Sequence, residues 1–447
     1  MIWSVVRKIL SIFLLGSMLF VATLCTPLGL KYASLEVESK PEAAPALTAA
    51  SLSEWQQEIR PRLMEQLQDS IYGHVPVGLQ SRILSKRVVD PTFLDKRAVL
   101  EEWQIEIFDD RGASRSFNLA IVLPSQSTGA APIILAQSFC DNRLVLKRTD
   151  LAGPLDGYPS PCISEKVRGS AIANSTFMYI MGEYIAAAPI EQYIKRGFAF
   201  ANFYASDIVP DNAKRAPALL ASFPGDETGE RPMGAIAAWA SSFSVALDHL
   251  EGDARIDATR TAIMGHSRHG KAALVASAWD TRIEAVISMQ SGTGGASLNR
   301  QKAGESIHQI TKTYPHWFAP SYKEFSGHEA DLPFDQHALL ALSAPRRVML
   351  TNGRRDVWSD PNGAFRSAIG ANPVWQLFGY DGLKAEGLKD YRPEDDIAYF
   401  LRPGGHGVTR TDVAAILAFA DDVFAQRELL ISAMPEDMPV APNAGLP

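Results

Sequence analysis

Six residues, Gly265-His266-Ser267-Arg268-His269-Gly270, separate the short, largely apolar run Thr261 to Met264 from the alanine-rich helical pattern Lys271 to Trp279. The run suits a buried strand and the pattern after it suits a helix, so the chain is read as turning sharply from strand to helix around a G-x-S-x-G elbow, a serine held between glycines. Just upstream, Gly234 to Leu250 keeps apolar positions at helical spacing, and Asp253 to Asp257 makes a polar turn into the strand. Helix, turn, strand, sharp turn, helix is the grammar of a parallel sheet covered by helices.

The rest of the chain extends that grammar. Pro132 to Phe139 and Gly197 to Tyr204 are apolar runs of strand length on the amino-terminal side of the turn, and Ala285 to Met289, Arg347 to Thr351 and Ile397 to Leu401 follow it. Helical patterns lie at Asp335 to Leu342, Gly363 to Gly370 and Thr411 to Phe424. Near the amino terminus, Ser53 to Leu67 has helical spacing (Trp55, Ile59, Leu63, Leu67) and the turn Tyr72 to Pro76 closes it. Strand-like alternation at Val88 to Val89, Trp103 to Phe108 and Phe117 to Leu123 gives an antiparallel lead-in. Asn142 to Ala187 is a long polar loop rich in Gly and Pro, a length usually kept for function. The expected fold is α/β of the α/β-hydrolase type, with a mostly parallel sheet, helices on both faces and a catalytic domain over 51–447.

Composition narrows the setting. With 447 residues, 46% hydrophobic and 21% charged, the chain can bury a large core. A net charge of −7 without a Lys/Arg block excludes a nucleic-acid surface. Arg7 and Lys8 precede an uncharged stretch from Ile9 to Leu30, which reads as an export signal over 1–30, either cleaved or kept as a membrane anchor. Residues 31–50, with the Pro- and Ala-rich Ser39 to Ala50, read as a linker. The protein is expected to be periplasmic or secreted, to touch a membrane only through that anchor, and to be a monomer. Cys140 and Cys162 are the two cysteines after the signal; in an oxidising compartment they either pair or stay as separate thiols. No His-x-x-x-His or Cys-x-x-Cys pair has metal-ligand spacing, so neither a metal nor a cofactor is expected.

A serine on such a turn needs a histidine base, and the base needs a carboxylate to fix its tautomer. In an α/β-hydrolase the order is Ser, acid, His, each after a later strand. His406, in Arg402-Pro403-Gly404-Gly405-His406-Gly407, follows the strand candidate Ile397 to Leu401 and is the only histidine in that order. Asp356, in Asn352-Gly353-Arg354-Arg355-Asp356, falls after Arg347 to Thr351, where the acid belongs; Asp360 before Pro361 reads as a helix N-cap.

These residues resemble the glucuronoyl esterases, the 4-O-methyl-glucuronoyl methylesterase group of serine hydrolases, over roughly Ser51 to Phe424. The resemblance rests on Gly265 to Lys271, Gly304-Glu305 followed by Pro315-His316-Trp317-Phe318, Leu332 to His337, Ala344-Pro345-Arg346, Asp356-Val357-Trp358-Ser359-Asp360-Pro361 and Arg402 to Gly407. It implies hydrolysis of the ester between a glucuronic acid carboxyl on xylan and an alcohol, taken to be a lignin alcohol of plant cell walls. Ser267 would attack, Arg268 would stabilise the oxyanion, and Lys271, Glu305 and Trp358 would contact the sugar.

One departure matters. Many members carry a glutamate as the acid after the strand that follows the elbow helix, and here that place reads Ser288-Met289-Gln290-Ser291. Gln290 holds no charge, so it is placed with the substrate-binding residues and Asp356 becomes the acid, as in some bacterial members. His266 where fungal members have cysteine points to the same bacterial type. Two other readings stay open: an acetyl esterase of the same fold, and a non-catalytic carbohydrate-binding relative.

Overall fold

The computed structural model describes residues 47–126, 129–155, 157, 162, 182–225, 229, 231–300 and 303–433. The export segment and most of the linker therefore lie outside the described residues, as does much of the loop Asn142 to Ala187. Among the described residues no helix is long and apolar enough to cross a membrane.

Among the described residues nine strands form one sheet: β1 (Gln80–Asp90), β2 (Ala98–Phe108), β3 (Ser114–Pro124), β4 (Ala131–Ser138), β5 (Ala199–Tyr204), β6 (Ile256–His266), β7 (Ala285–Met289), β8 (Arg347–Gly353) and β9 (Ile397–Arg402). Their order is β1-β2-β3-β5-β4-β6-β7-β8-β9. The first three pairings, β1 with β2, β2 with β3 and β3 with β5, are antiparallel; from β5 to β9 every neighbour is parallel. This is the expected mostly parallel sheet with an antiparallel lead-in. The winding reverses at β4, which has β5 on one side and β6 on the other, and such a switch point opens a crevice at the carboxyl ends of the strands.

Central strands bury both faces, which is why they read as continuous apolar runs rather than as alternation. Ile133 and Leu135 of β4 pack into one core, and Ile134 and Ala136 into the other. The first core is covered by α1 (52–72), α2 (Ala235–Leu250), α3 (Arg268–Trp279) and α5 (Pro361–Leu377), the second chiefly by α6 (Arg410–Ala433) and the helix Ile190–Lys195. A short helix, α4 (Ile307–Thr313), lies in the connection from β7 to β8.

Where the elements differ from expectation, the causes are local. β1 runs eleven residues instead of two because it is largely solvated on both faces and so carries no apolar period; its pairing with β2 makes it a strand. α1 contains a π turn at Trp55–Ile59, continues past Leu67 through a second at Gln68–Tyr72, and stops at Gly73, where φ is +73° and a Cβ would lie 2.2 Å from the Pro232 carbonyl oxygen. The predicted helix Asp335 to Leu342 shrinks to His337–Ala341, since the Asp335 carboxylate accepts the backbone N–H groups of Asn299, Arg300 and Gln336. α5 and α6 run longer than their apolar patterns, and Asp360 caps α5 by accepting from the Gly363 N–H at 3.1 Å. Cys140 and Cys162 are joined in a disulfide, with their Cα atoms 5.5 Å apart.

A buried arginine locks α3 to the segment entering β8. Arg346 donates to the carbonyls of Ser277 (2.6 Å), Asp280 (2.9 Å) and Ile283 (3.1 Å), and burial pushes its guanidinium pKa down to about 10. Arg346→Met strands those carbonyls in the interior, and we expect it to lower stability by about 3 kcal/mol or more. A denaturant midpoint equal to that of the wild type would refute the assigned role.

Candidate active site

Ser267 sits between β6 and α3 at φ +58°, ψ −121°. A non-glycine residue there costs about 1–3 kcal/mol, so the surroundings must impose it. Its N–H donates to the Met289 carbonyl of β7 at 2.7 Å, and the flanking glycines leave no room to relax. A Cβ on Gly265 would lie 2.2 Å from the His269 carbonyl oxygen, and one on Gly270 would lie 3.0 Å from both the Gly265 carbonyl and the Ser288 hydroxyl. The second glycine thus stands one place later than in a strict G-x-S-x-G elbow. His269 takes that place and turns its ring inward: Nδ1 lies 3.0 Å from Gln137 Oε1, and burial pushes its pKa down to about 3.

His406 and Asp356 meet because their loops are stitched together. After β8 the Arg354 N–H donates to the Arg402 carbonyl at 2.7 Å, and the Arg355 N–H to the Gly404 carbonyl at 2.8 Å. Gly353 is pressed so closely on this loop that a Cβ would lie 2.4 Å from the Gly405 carbonyl oxygen. The result is a 2.7 Å contact between His406 Nδ1 and Asp356 Oδ2, with the carboxylate fully buried and the imidazole about one-third exposed. A carboxylate only accepts, so in the neutral ring Nδ1 carries the hydrogen and Nε2 the lone pair.

A buried ion pair supports the loop from below. Arg402 is paired with Asp412 at the start of α6, and its remaining N–H groups donate to the carbonyls of Pro403, Gly405 and Gly407. Neither partner was singled out in the sequence for this role, because a pair formed across a loop and a helix start leaves no local pattern.

A cavity of about 650 Å³ opens at this edge of the sheet. Ser267, Arg268, Lys271, Gln290, Glu305, Trp358 and His406 all line it, while Asp356 lies behind His406. Trp358 is 46% exposed, the large aromatic surface most open to a bound ring. The Glu305 N–H donates to the Trp358 carbonyl at 3.2 Å, which ties these two walls together. Lys271 is buried, and its ammonium donates to the carbonyls of Ser291 and Thr293. The sequence reading missed a third wall: His308, Gln309 and Lys312 of α4, with Tyr314 and Trp317 beyond it. The Ser306 to Gln309 capping box that starts α4 was legible as a helix signal.

Gln290 borders the cavity, but its amide is engaged with protein. At φ +52° it accepts the Gly407 N–H and donates to the Gly407 carbonyl, both at 2.8 Å, and its Oε1 lies 3.2 Å from His266 Nε2. These contacts hold the residue next to His406 rather than reaching for a ligand. His266 packs its ring 4.5 Å from that of His406; burial, and then His406 itself, hold the His266 pKa well below the ordinary value, so the ring is neutral at pH 7.

Arg268 is held from the opposite side. Its guanidinium pairs with Asp211 on the loop after β5 and lies over the Trp317 ring, 4.6 Å from the centroid. Asp211 Oδ1 also accepts from Trp317 Nε1 at 2.7 Å and contacts His316 Nε2 at 2.9 Å. Burial raises the Asp211 pKa, but these hydrogen bonds and the Arg268 charge outweigh it and hold the carboxyl well below its usual range.

Restoring a carboxylate at 290 should therefore harm the chain. Gln290→Glu would face an oxygen toward the Gly407 carbonyl and lose a donor, for an expected loss of about 1–3 kcal/mol at pH 7. Such a carboxyl has its folded-state pKa raised above its unfolded value, so the deficit is smallest below about pH 4 and grows as pH rises. Denaturant midpoints measured from pH 4 to pH 8 check this, and a deficit independent of pH would contradict it.

The chain was compared with known proteins. A family model described as fungal glucuronyl esterase matches residues 172–379. Carbohydrate esterase MZ0003, from an unknown prokaryotic organism, is 31% identical over 83% of this chain and 85% of its own length. The 4-O-methyl-glucuronoyl methylesterase of Hypocrea jecorina is 34% identical over 33% of this chain and 34% of its own. Among solved structures, a glucuronoyl esterase from Solibacter usitatus superposes with a TM-score of 0.70 at 30% identity, covering 88% of this chain and all of that one. With a relative and a solved structure of that identity matching along most of its length, the chain belongs to the glucuronoyl esterase family, carboxylic ester hydrolases on an α/β-hydrolase fold.

Proposed function

We propose that this enzyme cleaves esters of the glucuronic acid carboxyl through an acyl-enzyme on Ser267, and that it works outside the cytoplasm. The contact of 2.7 Å between His406 Nδ1 and the buried Asp356 carboxylate carries the reading, because it leaves Nε2 as a base in the cavity that Ser267 also lines. His406 takes the Ser267 proton as Oγ attacks the ester carbon, then returns it to the departing alcohol. Water reverses the sequence to free the acid. Arg268 and backbone N–H groups receive the oxyanion, and Asp356 stabilises the imidazolium formed in each half-reaction.

Family membership and the pocket favour a sugar acid as the acyl part. Trp358 offers a ring face, Glu305 an acceptor for hydroxyls, and Lys271 a cation buried at the cavity wall. The relatives named as glucuronoyl methylesterases support the same substrate class, and a glucuronoxylan ester to a lignin alcohol fits it. Export is supported by the signal-like segment Arg7 to Leu30 and by the disulfide, which suits an oxidising compartment.

Alcohol release from methyl and benzyl glucuronate tests the proposal. Ser267→Ala should abolish turnover, and Asp356→Asn should lower kcat by roughly 10⁴-fold with KM little changed. Retained turnover in Asp356→Asn would remove it as the acid, and a wild type active on acetylated xylan but inert on glucuronate esters would remove the substrate class.

A further inference from the structure

Arg268 lines the cavity, and its charge is met by a carboxylate that does not. Asp211 does not line the cavity, its side chain is only 12% exposed, and its carboxylate is engaged with Arg268, His316 and Trp317. Its own support is rigid. Ile208 and Val209 are buried, the Val209 carbonyl accepts from Trp239 Nε1 at 2.9 Å, and the Asp211 N–H donates to the Ser206 hydroxyl at 3.3 Å. On the other side of the guanidinium, Tyr314 and Trp317 stack parallel with centroids 3.7 Å apart, and both also line the cavity.

We propose that Asp211 is a positioning residue for the reaction: by pairing with Arg268 it fixes the guanidinium at the oxyanion position and cancels enough of its charge that the carboxylate product can leave. The inference rests on the assignment of Arg268 to the oxyanion. An arginine side chain has many rotamers, and a donor aimed before the reaction is worth more than one that must be ordered during it. Hydrolysis of a neutral ester also leaves an anion beside that same arginine. An uncompensated guanidinium would grip a carboxylate in a bidentate pair, whereas one already paired has less charge and fewer N–H groups to offer. Asp211 thus trades some attraction for the oxyanion against a fixed geometry and a released product.

The test is steady-state kinetics on methyl glucuronate with glucuronate as competing product, for the wild type, Asp211→Asn, Arg268→Gln and the double variant. Asp211→Asn keeps an oxygen for Trp317 and His316 while removing the charge. It should lower kcat roughly ten- to a hundredfold, leave KM within about threefold, and make glucuronate inhibit about fivefold more strongly. In the Arg268→Gln background the same change should alter kcat by less than about twofold, since a residue acting through Arg268 has nothing left to position. Asp211→Glu keeps the charge but moves it, and should lower kcat without strengthening inhibition. A residue that merely supported the fold would lower kcat equally in both backgrounds and weaken glucuronate binding, and that result, or wild-type kinetics in Asp211→Asn, overturns the proposal. If the wild type proves to act on a different ester, the glucuronate reading fails alone, and the kcat coupling of Asp211 with Arg268 on that ester still decides the positioning role.

Discussion

Six strands, β5 to β9 together with β4, are hydrogen-bonded side by side in the same direction, and this places all their carboxyl ends on one edge of the sheet. Everything at the site hangs from that edge. Asp211 follows β5, Ser267 follows β6, Gln290 follows β7, Asp356 follows β8 and His406 follows β9. Residues as far apart in the chain as His266 and His406, 140 positions, become neighbours because adjacent parallel strands are about 4.8 Å apart. The strain at Ser267 is affordable for the same reason: the turn is clamped between β6, β7 and α3, and the sheet cannot yield at one position without breaking its ladder.

Two neighbouring strand ends, those of β7 and β8, could each present an acid to a histidine after β9. This chain puts its carboxylate on β8 and a neutral amide on β7. The amide is well matched to what it meets, because Gly407 offers one donor and one acceptor and Gln290 satisfies both. A carboxylate can only accept, so it would match half of that pair. Placing one charge rather than two beside His406 also avoids burying like charges, which is costly in a site of low polarity. His266 belongs to this arrangement as a neutral ring between Gln290 and His406.

Much of this was legible in the chain because buried parallel strands announce themselves. Ala285–Met289 was readable to the residue, and the order of Ser267, Asp356 and His406 followed from the order of the strands. What stayed hidden was of two kinds. β1 was readable only at Val88 to Val89, since its pairing partner rather than a core makes the rest of it a strand. Asp211, Arg402 and Asp412 form their pairs across distant loops, and an aspartate in a loop looks the same in sequence whether it meets an arginine or water. Lys271 and Gln290 were noticed, but their partners are backbone carbonyls and amides, which every residue carries and no sequence distinguishes.

The connection from β7 to β8 supplies Glu305, α4, Tyr314 and Trp317, more of the cavity wall than any other segment, yet neither His406 nor Asp356. Most of the wall is thereby remote in the chain from His406 and Asp356, while Lys271 and Trp358 line it from positions close to Ser267 and Asp356. A lineage can lengthen, shorten or recolour that connection and so reshape the cavity, while the hydrogen bond between His406 and Asp356 stays as it is. The contacts of Asp211 with the Trp317 indole and with His316 mark a place where such drift meets a limit, because a wall rebuilt without them would also loosen the arginine next to Ser267.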